Sequence, residues 1–168
     1  MSAVGPASVL RLQAVALDPV RALLARFGLN LVLLAPGTLI PGSYWGEDEA
    51  GLIGPRLYVR ADTPLHSLLH EACHWIVMDP AKRPDVHTDA SDSQLEENAT
   101  CYLQLLLADH VHGFGRTRAF LDMDAWGYSF RLGSARAWFD SDAEDARAFL
   151  LHHGLIDVAE RVLFRVRL

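Results

Sequence analysis

The sequence is poor in basic residues. Fifteen Lys and Arg stand against 21 Asp and Glu, a formal net charge of −6. A dedicated nucleic-acid binder needs a strong basic excess, so that class is excluded. The C-terminal cluster of Arg161, Arg165 and Arg167 is too short to change this. Cysteine is scarce as well: Cys73 and Cys101 are the only two. They make no disulfide framework, and the expectation is two buried, reduced thiols in a cytoplasmic protein. No apolar run reaches the roughly 18 residues of a membrane span, so no membrane partner is expected. The first apolar stretch, VLRLQAVAL, is broken by Arg11 and lacks a charged leader and a small-residue cleavage site, so no secretory signal is expected. Internal repeats and low-complexity tracts are absent.

What remains is a chain of 168 residues, 51% apolar. That is one domain's length, with enough apolar content for a core without staples. LDPVRALLARFG reads as a helix, with Asp18 as N-cap, Pro19 at the first position and Gly28 as terminator. LNLVLLA reads as a buried strand. PGTLIPGSYWGEDEAGLIGP is turn-rich, with room for a short hairpin. RLYVR alternates and reads as a half-exposed strand at a sheet edge. A helix follows, capped by Thr63 or Asp62, opened by Pro64 and carrying Leu65, Leu68, Leu69, Ala72 and Ile76 at helical spacing. A polar loop leads to a second helix from about Ser93 to Asp109. RTRAFLDMDAW and ARAWF are shorter helical candidates. Ser141 to Glu144 form a capping-box pattern before DAEDARAFLLHH, closed by Gly154, and VLFRVRL reads as a final strand. The order predicts a small α+β domain, with a short sheet lying over helices.

The first of the two long helices carries His70, Glu71 and His74 in the spacing H-E-x-x-H. Residues four apart lie one above the other on a helix face, roughly 6 Å along the axis. Two imidazoles so placed can turn their nitrogens onto one ion, at about 2.0–2.1 Å for zinc. Glu71 projects beside that ion, where its carboxylate takes a proton from activated water. The competing reading is an amphipathic helix with three polar surface residues. The flanking Leu68-Leu69 and Trp75-Ile76-Val77 argue for half-burial instead, and buried imidazoles need partners.

A catalytic ion needs a third protein ligand, and the second helix offers Glu96 and Glu97. Glu96 shares a face with Ala99, Leu103 and Leu106, the apolar and therefore inward side. Glu97 shares the more polar side with Cys101, Gln104 and Ala108. The expectation is Glu96, although Ser93 to Glu96 is also a capping box. Asp92 and His87 are outside candidates. His66, one turn before His70, is read as a helix-start residue or a support for His70. Cys73 is read as packing. His110, His112, His152 and His153 fall at helix ends and are read as structural. Tyr128 and His112 are candidate oxyanion donors, and HGFGRTR is read as a loop.

The set His70, Glu71, His74 and downstream Glu96 resembles the ligand set of gluzincin-type metalloproteins, whose third ligand is a glutamate in the form E-x-x-A/S. Here that stretch is Glu96-Glu97-Asn98-Ala99, twenty-two residues beyond His74. The strand RLYVR ahead of the motif, with the two helices, is similar to the small ImmA/IrrE-like metallopeptidases. A narrower resemblance, carried by SLLHEACHW, Arg83 and SQLE, is to the elongation factor P hydroxylase family, which holds iron by two histidines and a carboxylate. In place of that family's aromatic and proline-glycine-rich segment stands DVHTDASD. Both resemblances span roughly residues 50 to 110.

These resemblances imply a single zincin-like domain over residues 1–168; residues 1–15 are weakly patterned and read as a strand or a loose arm. The resemblances imply a short mixed sheet on the H-E-x-x-H helix and a second glutamate-bearing helix, and the C-terminal part reads as helical from its own pattern. The expected function is a zinc metallopeptidase acting on a peptide or protein, with Zn2+ held by His70, His74 and Glu96, Glu71 as general base and substrate paired along residues 57 to 60. The alternative is a non-haem Fe2+ protein hydroxylase on the same ligands. A third reading is a non-catalytic, metal-stabilised binding domain.

Overall fold

The structure, a computed structural model, describes residues 8–43, 47–88 and 91–168. Part of the turn-rich GSYWGE stretch, part of DVHTDASD and the first half of the expected arm therefore lie outside the described residues.

Among the described residues the fold is mixed α+β. Its elements are α1 (Leu17–Ala25), β1 (Asn30–Leu33), β2 (Gly51–Ile53), β3 (Arg56–Val59), α2 (Leu65–Val77), α3 (Gln94–Ala108), α4 (Arg116–Trp126), α5 (Ala135–Ser141) and α6 (Glu144–His152). No helix among them is long and apolar enough to cross a membrane.

The sheet has the order β1-β3-β2, with β1 parallel and β2 antiparallel to β3. The expected edge strand is thus the central one. Leu57 pairs with Leu31 on one side and Leu52 on the other, so β3 has no free edge to offer a substrate. Its alternation signals one buried face, which a central strand with one solvated face shares with an edge strand. The outer edge of β2 is itself partly covered: Gly54 N–H donates to Val86 O at 2.8 Å and Thr88 N–H to Leu52 O at 3.0 Å. The chain before β2 also runs close, since a Cβ on Gly51 would sit 1.9 Å from Pro41 O. Only glycine fits there.

Leu52, Leu57 and Val59 from the sheet join Leu65, Leu68, Leu69, Ala72 and Ile76 from α2 and Ala99, Leu103, Leu106 and Leu107 from α3 in one core. α2 starts differently from expectation. Pro64 occupies the cap position without a side-chain cap. Thr63 Oγ1 instead accepts from Arg60 N–H at 2.9 Å, and Asp62 pairs with Arg60. The N–H of Leu65 is satisfied from outside, by Leu10 O at 2.9 Å. That contact, with Leu12 N–H on Thr63 O at 2.8 Å and Leu10 N–H on Asp122 Oδ2 at 2.9 Å, ties residues 8–15 down. They are not a loose arm.

α1 begins at Leu17 with Pro19 inside its first turn, and Gly28 follows it in the left-handed region. α3 begins as expected, with Ser93 Oγ accepting from Glu96 N–H at 3.2 Å. Ser141 ends α5 and does not cap α6. VLFRVRL is not a strand of the sheet. It is an extended tail, bridged at Val162 to Ile156 and at Arg167 N–H to Ile76 O, 2.9 Å.

Leu57 is fully buried at the sheet's centre, whereas Leu39 is 84% exposed. Leu57→Ala is expected to lower stability by about 2–5 kcal/mol, and Leu39→Ala by no more than about 0.5 kcal/mol. Urea denaturation of the two variants checks this.

Candidate metal centre

α2 and α3 pack side by side and place His70 and His74 against α3. The rings of His70 and His74 meet edge to face, with centroids 4.5 Å apart. Their outer nitrogens are both engaged. Gln104 Nε2 donates to His66 O at 2.8 Å, which orients the amide so that its Oε1 faces His70 Nδ1, also at 2.8 Å. Nδ1 of His70 must therefore carry hydrogen. Ser91 Oγ–H donates to Glu97 Oε2 at 2.8 Å, so Ser91 Oγ accepts from His74 Nδ1 at 3.2 Å. Both inner nitrogens then point at one carboxylate: His70 Nε2 is 2.9 Å from Glu97 Oε1 and His74 Nε2 is 3.4 Å from Glu97 Oε2.

The carboxylate at the histidines is thus Glu97, and Glu96 is turned away. Glu96 Oε2 accepts from Asp92 N–H at 2.9 Å, and its Oε1 pairs with Arg167 Nη1 at 3.0 Å. These two bonds hold Glu96 at the start of α3, and the neighbouring position, about 100° further round the helix, faces α2. Asp92 pairs with Lys82. His87 Nδ1 contacts Thr88 Oγ1 at 2.8 Å, beside β2. Neither joins the centre.

Glu71 does. Ligand atoms of His70, Glu71 and His74 lie within 4.8 Å of one another, and so do those of His70, Glu97 and Cys101. Glu71 Oε2 is buried without a hydrogen-bond partner. Sequence reasoning ranked Glu97 second to Glu96, named Cys101 and Gln104 only as its neighbours on the more polar side, and missed Ser91. Glu97, Cys101 and Gln104 form a polar stripe at i, i+4 and i+7 on a helix whose Gln104 is fully buried and whose Cys101 is 5% exposed. Tyr128 is also brought in: its ring centroid lies 5.6 Å from that of His70, and its hydroxyl lies 3.1 Å from His66 Nδ1. His112 is exposed and takes no part. His110 and His153 pack on Phe164 and Phe149, as structural residues do.

The electrostatics are those of a site short of positive charge. Burial pushes the Glu71 carboxyl up to about 8. Burial also raises Glu49, which accepts from Trp126 Nε1 at 2.7 Å and feels both Asp48 and His70. Burial and the nearby charge of His70 push His74 down to about 3, so it is neutral. Its Nε2 is then a bare lone pair facing a carboxylate oxygen, an arrangement that favours a cation between them. At His70, burial disfavours the imidazolium, but Tyr128, Cys101 and Glu97 more than offset this and its pKa rises. Burial raises Glu97, yet the hydrogen bond and charge of His70 outweigh it and bring the carboxyl down to about 2. The donor set fits a divalent ion. It offers two imidazole nitrogens with their far sides anchored, a carboxylate between them and a carboxyl with one unpartnered oxygen alongside.

Glu97→Gln is expected to abolish stoichiometric zinc binding in a titration, whereas Glu96→Gln retains zinc and loses stability through the broken Arg167 contact. Retention by Glu97→Gln would show that Glu97 is not a ligand. The pH dependence has a definite sign. His70, raised above 6.5, holds a proton at neutral pH that a metal must displace. Affinity should therefore rise with pH until His70 is deprotonated, and calorimetry in buffers of different ionisation heat should detect proton release at pH 7. In the metal-free chain the His70–Glu97 pair stabilises fully between the ordinary values of 4.5 and 6.5. That stability is lost as pH falls toward about 2 or rises through the His70 pKa. The chain matches no family model, no curated protein and no solved structure, so its function has to be read from these side chains.

Proposed function

We propose that the chain is a metal-dependent hydrolase, a zinc metallopeptidase in which His70, His74 and Glu97 hold the ion and Glu71 is the general base. One observation carries the reading. Both imidazoles have Nδ1 occupied, by Gln104 and Ser91, and both turn Nε2 onto Glu97 at 2.9 and 3.4 Å. A surface helix with incidental histidines has no reason to fix both rings this way. When bound, zinc supplies Lewis acidity, lowering the pKa of water toward neutrality and polarising a carbonyl.

Glu71 follows His70 directly and lies within the same 4.8 Å cluster. A positive neighbour favours its carboxylate form and reverses the effect of burial. In that form its free oxygen accepts the proton of the attacking water. The same carboxyl then delivers that proton to the leaving amine, so one residue serves both halves of the hydrolysis. Gln104 and Ser91 do not touch the reacting atoms. They hold His70 and His74 in the tautomers that leave both Nε2 atoms available.

The iron hydroxylase reading rests on the same two histidines and a carboxylate. Of the residues that carry that resemblance, Trp75 and Arg83 make structural contacts here. Trp75 Nε1 donates to Phe27 O at 2.9 Å, and Arg83 Nε donates to Trp75 O at 3.0 Å. They brace the end of α2, and the zinc reading is preferred. The non-catalytic reading assigns no role to the buried, unpaired oxygen of Glu71.

Glu71→Gln is expected to reduce hydrolysis of a mixed peptide library, followed by mass spectrometry, by about 10²–10⁴-fold. Zinc stoichiometry should be unchanged. Full activity in that variant would remove Glu71 from the chemistry, and oxygen uptake by iron-loaded protein would favour the hydroxylase.

A further inference from the structure

Glu97 and Gln104 both touch His70, and Cys101 lies between them on the same stripe of α3. Its thiol is free and buried. A ligand atom of His70, one of Glu97 and the Cys101 sulfur lie within 4.8 Å of one another. Donors around one zinc at about 2.0–2.3 Å are separated by roughly 3.4–3.6 Å. The three donors His70, Glu97 and Cys101 therefore lie close to the spacing of one part of a coordination shell, and His74, in the other cluster, reaches it through Glu97 Oε2, 3.4 Å from its Nε2. Among the described residues Cys73, one turn before the end of α2, falls in neither donor cluster.

We propose that Cys101 is a further protein ligand of the metal, bonding through its sulfur to the ion held by His70, His74 and Glu97. This rests on the metal-centre reading above and adds a soft donor to it. On binding, the S–H bond is replaced by a metal–sulfur bond and the proton passes to solvent; no electron is transferred. A coordinating thiol is deprotonated outright by the ion's charge. The resulting set is two nitrogens, one oxygen and one sulfur. A thiolate selects zinc or cadmium over manganese, and over the oxygen- and nitrogen-only set of an iron hydroxylase. Zinc can expand to five ligands, so a thiolate here is compatible with water reaching Glu71.

The test is cobalt(II) added to the full-length, metal-free chain, read by absorption. A sulfur-to-cobalt charge-transfer band in the near ultraviolet is expected in the wild type and in Cys73→Ser, and its loss is expected in Cys101→Ser with cobalt still bound. In the same variant cadmium affinity should fall by about tenfold or more, with manganese affinity little changed. Should Cys101→Ser fail to fold, X-ray absorption of zinc-loaded Cys73→Ser decides the matter, a sulfur neighbour at about 2.3 Å supporting the proposal. Stoichiometric cobalt without a sulfur band overturns the Cys101 assignment and leaves the histidine–glutamate centre standing. Failure to bind cobalt, zinc or cadmium at all overturns both.

Discussion

The imidazole of His70 lies against three successive turns of α3, and the placement of the α3 donors follows from that contact. Gln104 takes Nδ1, Glu97 takes Nε2 and Cys101 lies between them. A polar stripe inside a helix–helix interface is costly, since each buried polar group left unsatisfied loses about 1–3 kcal/mol. Here the stripe is almost wholly satisfied, and its satisfaction specifies the register of the two helices. Sliding α3 by one turn would bring Ala108, the next residue of that stripe, to the place of Gln104 and leave Nδ1 of the imidazole without its acceptor. Apolar packing of Leu68, Leu69, Leu103 and Leu106 brings the helices together. The polar stripe selects one alignment among several that such packing would tolerate.

The rest of the chain reinforces that alignment from both ends. At one end the tail crosses over: Arg167 reaches Glu96 at the start of α3, while its own backbone meets Ile76 O on α2 and Arg83 Nη2. One arginine thus links the last turn of α2 to the first turn of α3. At the other end the segment before α1 satisfies the first N–H of α2 and is held in turn by Asp122 of α4. Asp122 is fully buried and also accepts from Arg118 at 2.7 Å. α4 and the C-terminal tail, whose purpose the sequence does not declare, therefore clamp the two helices that carry the donors from opposite ends.

Much of this was legible in the sequence, and the failures share a cause. The α+β class, the H-E-x-x-H helix and the Ser93 start of α3 follow from periodicity and capping chemistry, which are local. The choice between Glu96 and Glu97 is not local. It was made on the rule that the apolar face of a helix points inward, which presumes an exposed face. α3 is buried from Ala99 to Ala108 on nearly every side, so both faces point inward and the rule loses its force. On such a helix the informative signal is the polar stripe, Glu97, Cys101 and Gln104, because polar groups are buried at a cost and persist where they have a partner. Glu96 is instead drawn from the centre by Asp92 N–H, just ahead of the cap, and by Arg167, a partner 71 residues away that local pattern does not reveal. The edge assignment for β3 failed similarly: alternation reports one buried face and is silent on how many neighbours a strand has.

Charge balance connects these observations. Three glutamates, Glu49, Glu71 and Glu97, and two imidazoles share a partly buried space. With both histidines neutral and all three carboxyls ionised, that space would hold three negative charges in a medium that solvates them poorly. The metal-free chain relieves this by retaining protons. His70 keeps one because its pKa is raised, and Glu71 keeps another because burial lifts it to about 8. At neutral pH those two protons supply two units of positive charge, the amount one divalent ion would bring. Exchange of the two protons for such an ion would leave the net charge of the histidine and glutamate groups unchanged. It would also free the two groups that the chemistry requires: an imidazole nitrogen to bind the ion and a carboxylate to accept a proton. The features that make the metal-free site hold protons are therefore the ones that would make it an acceptor for a divalent cation.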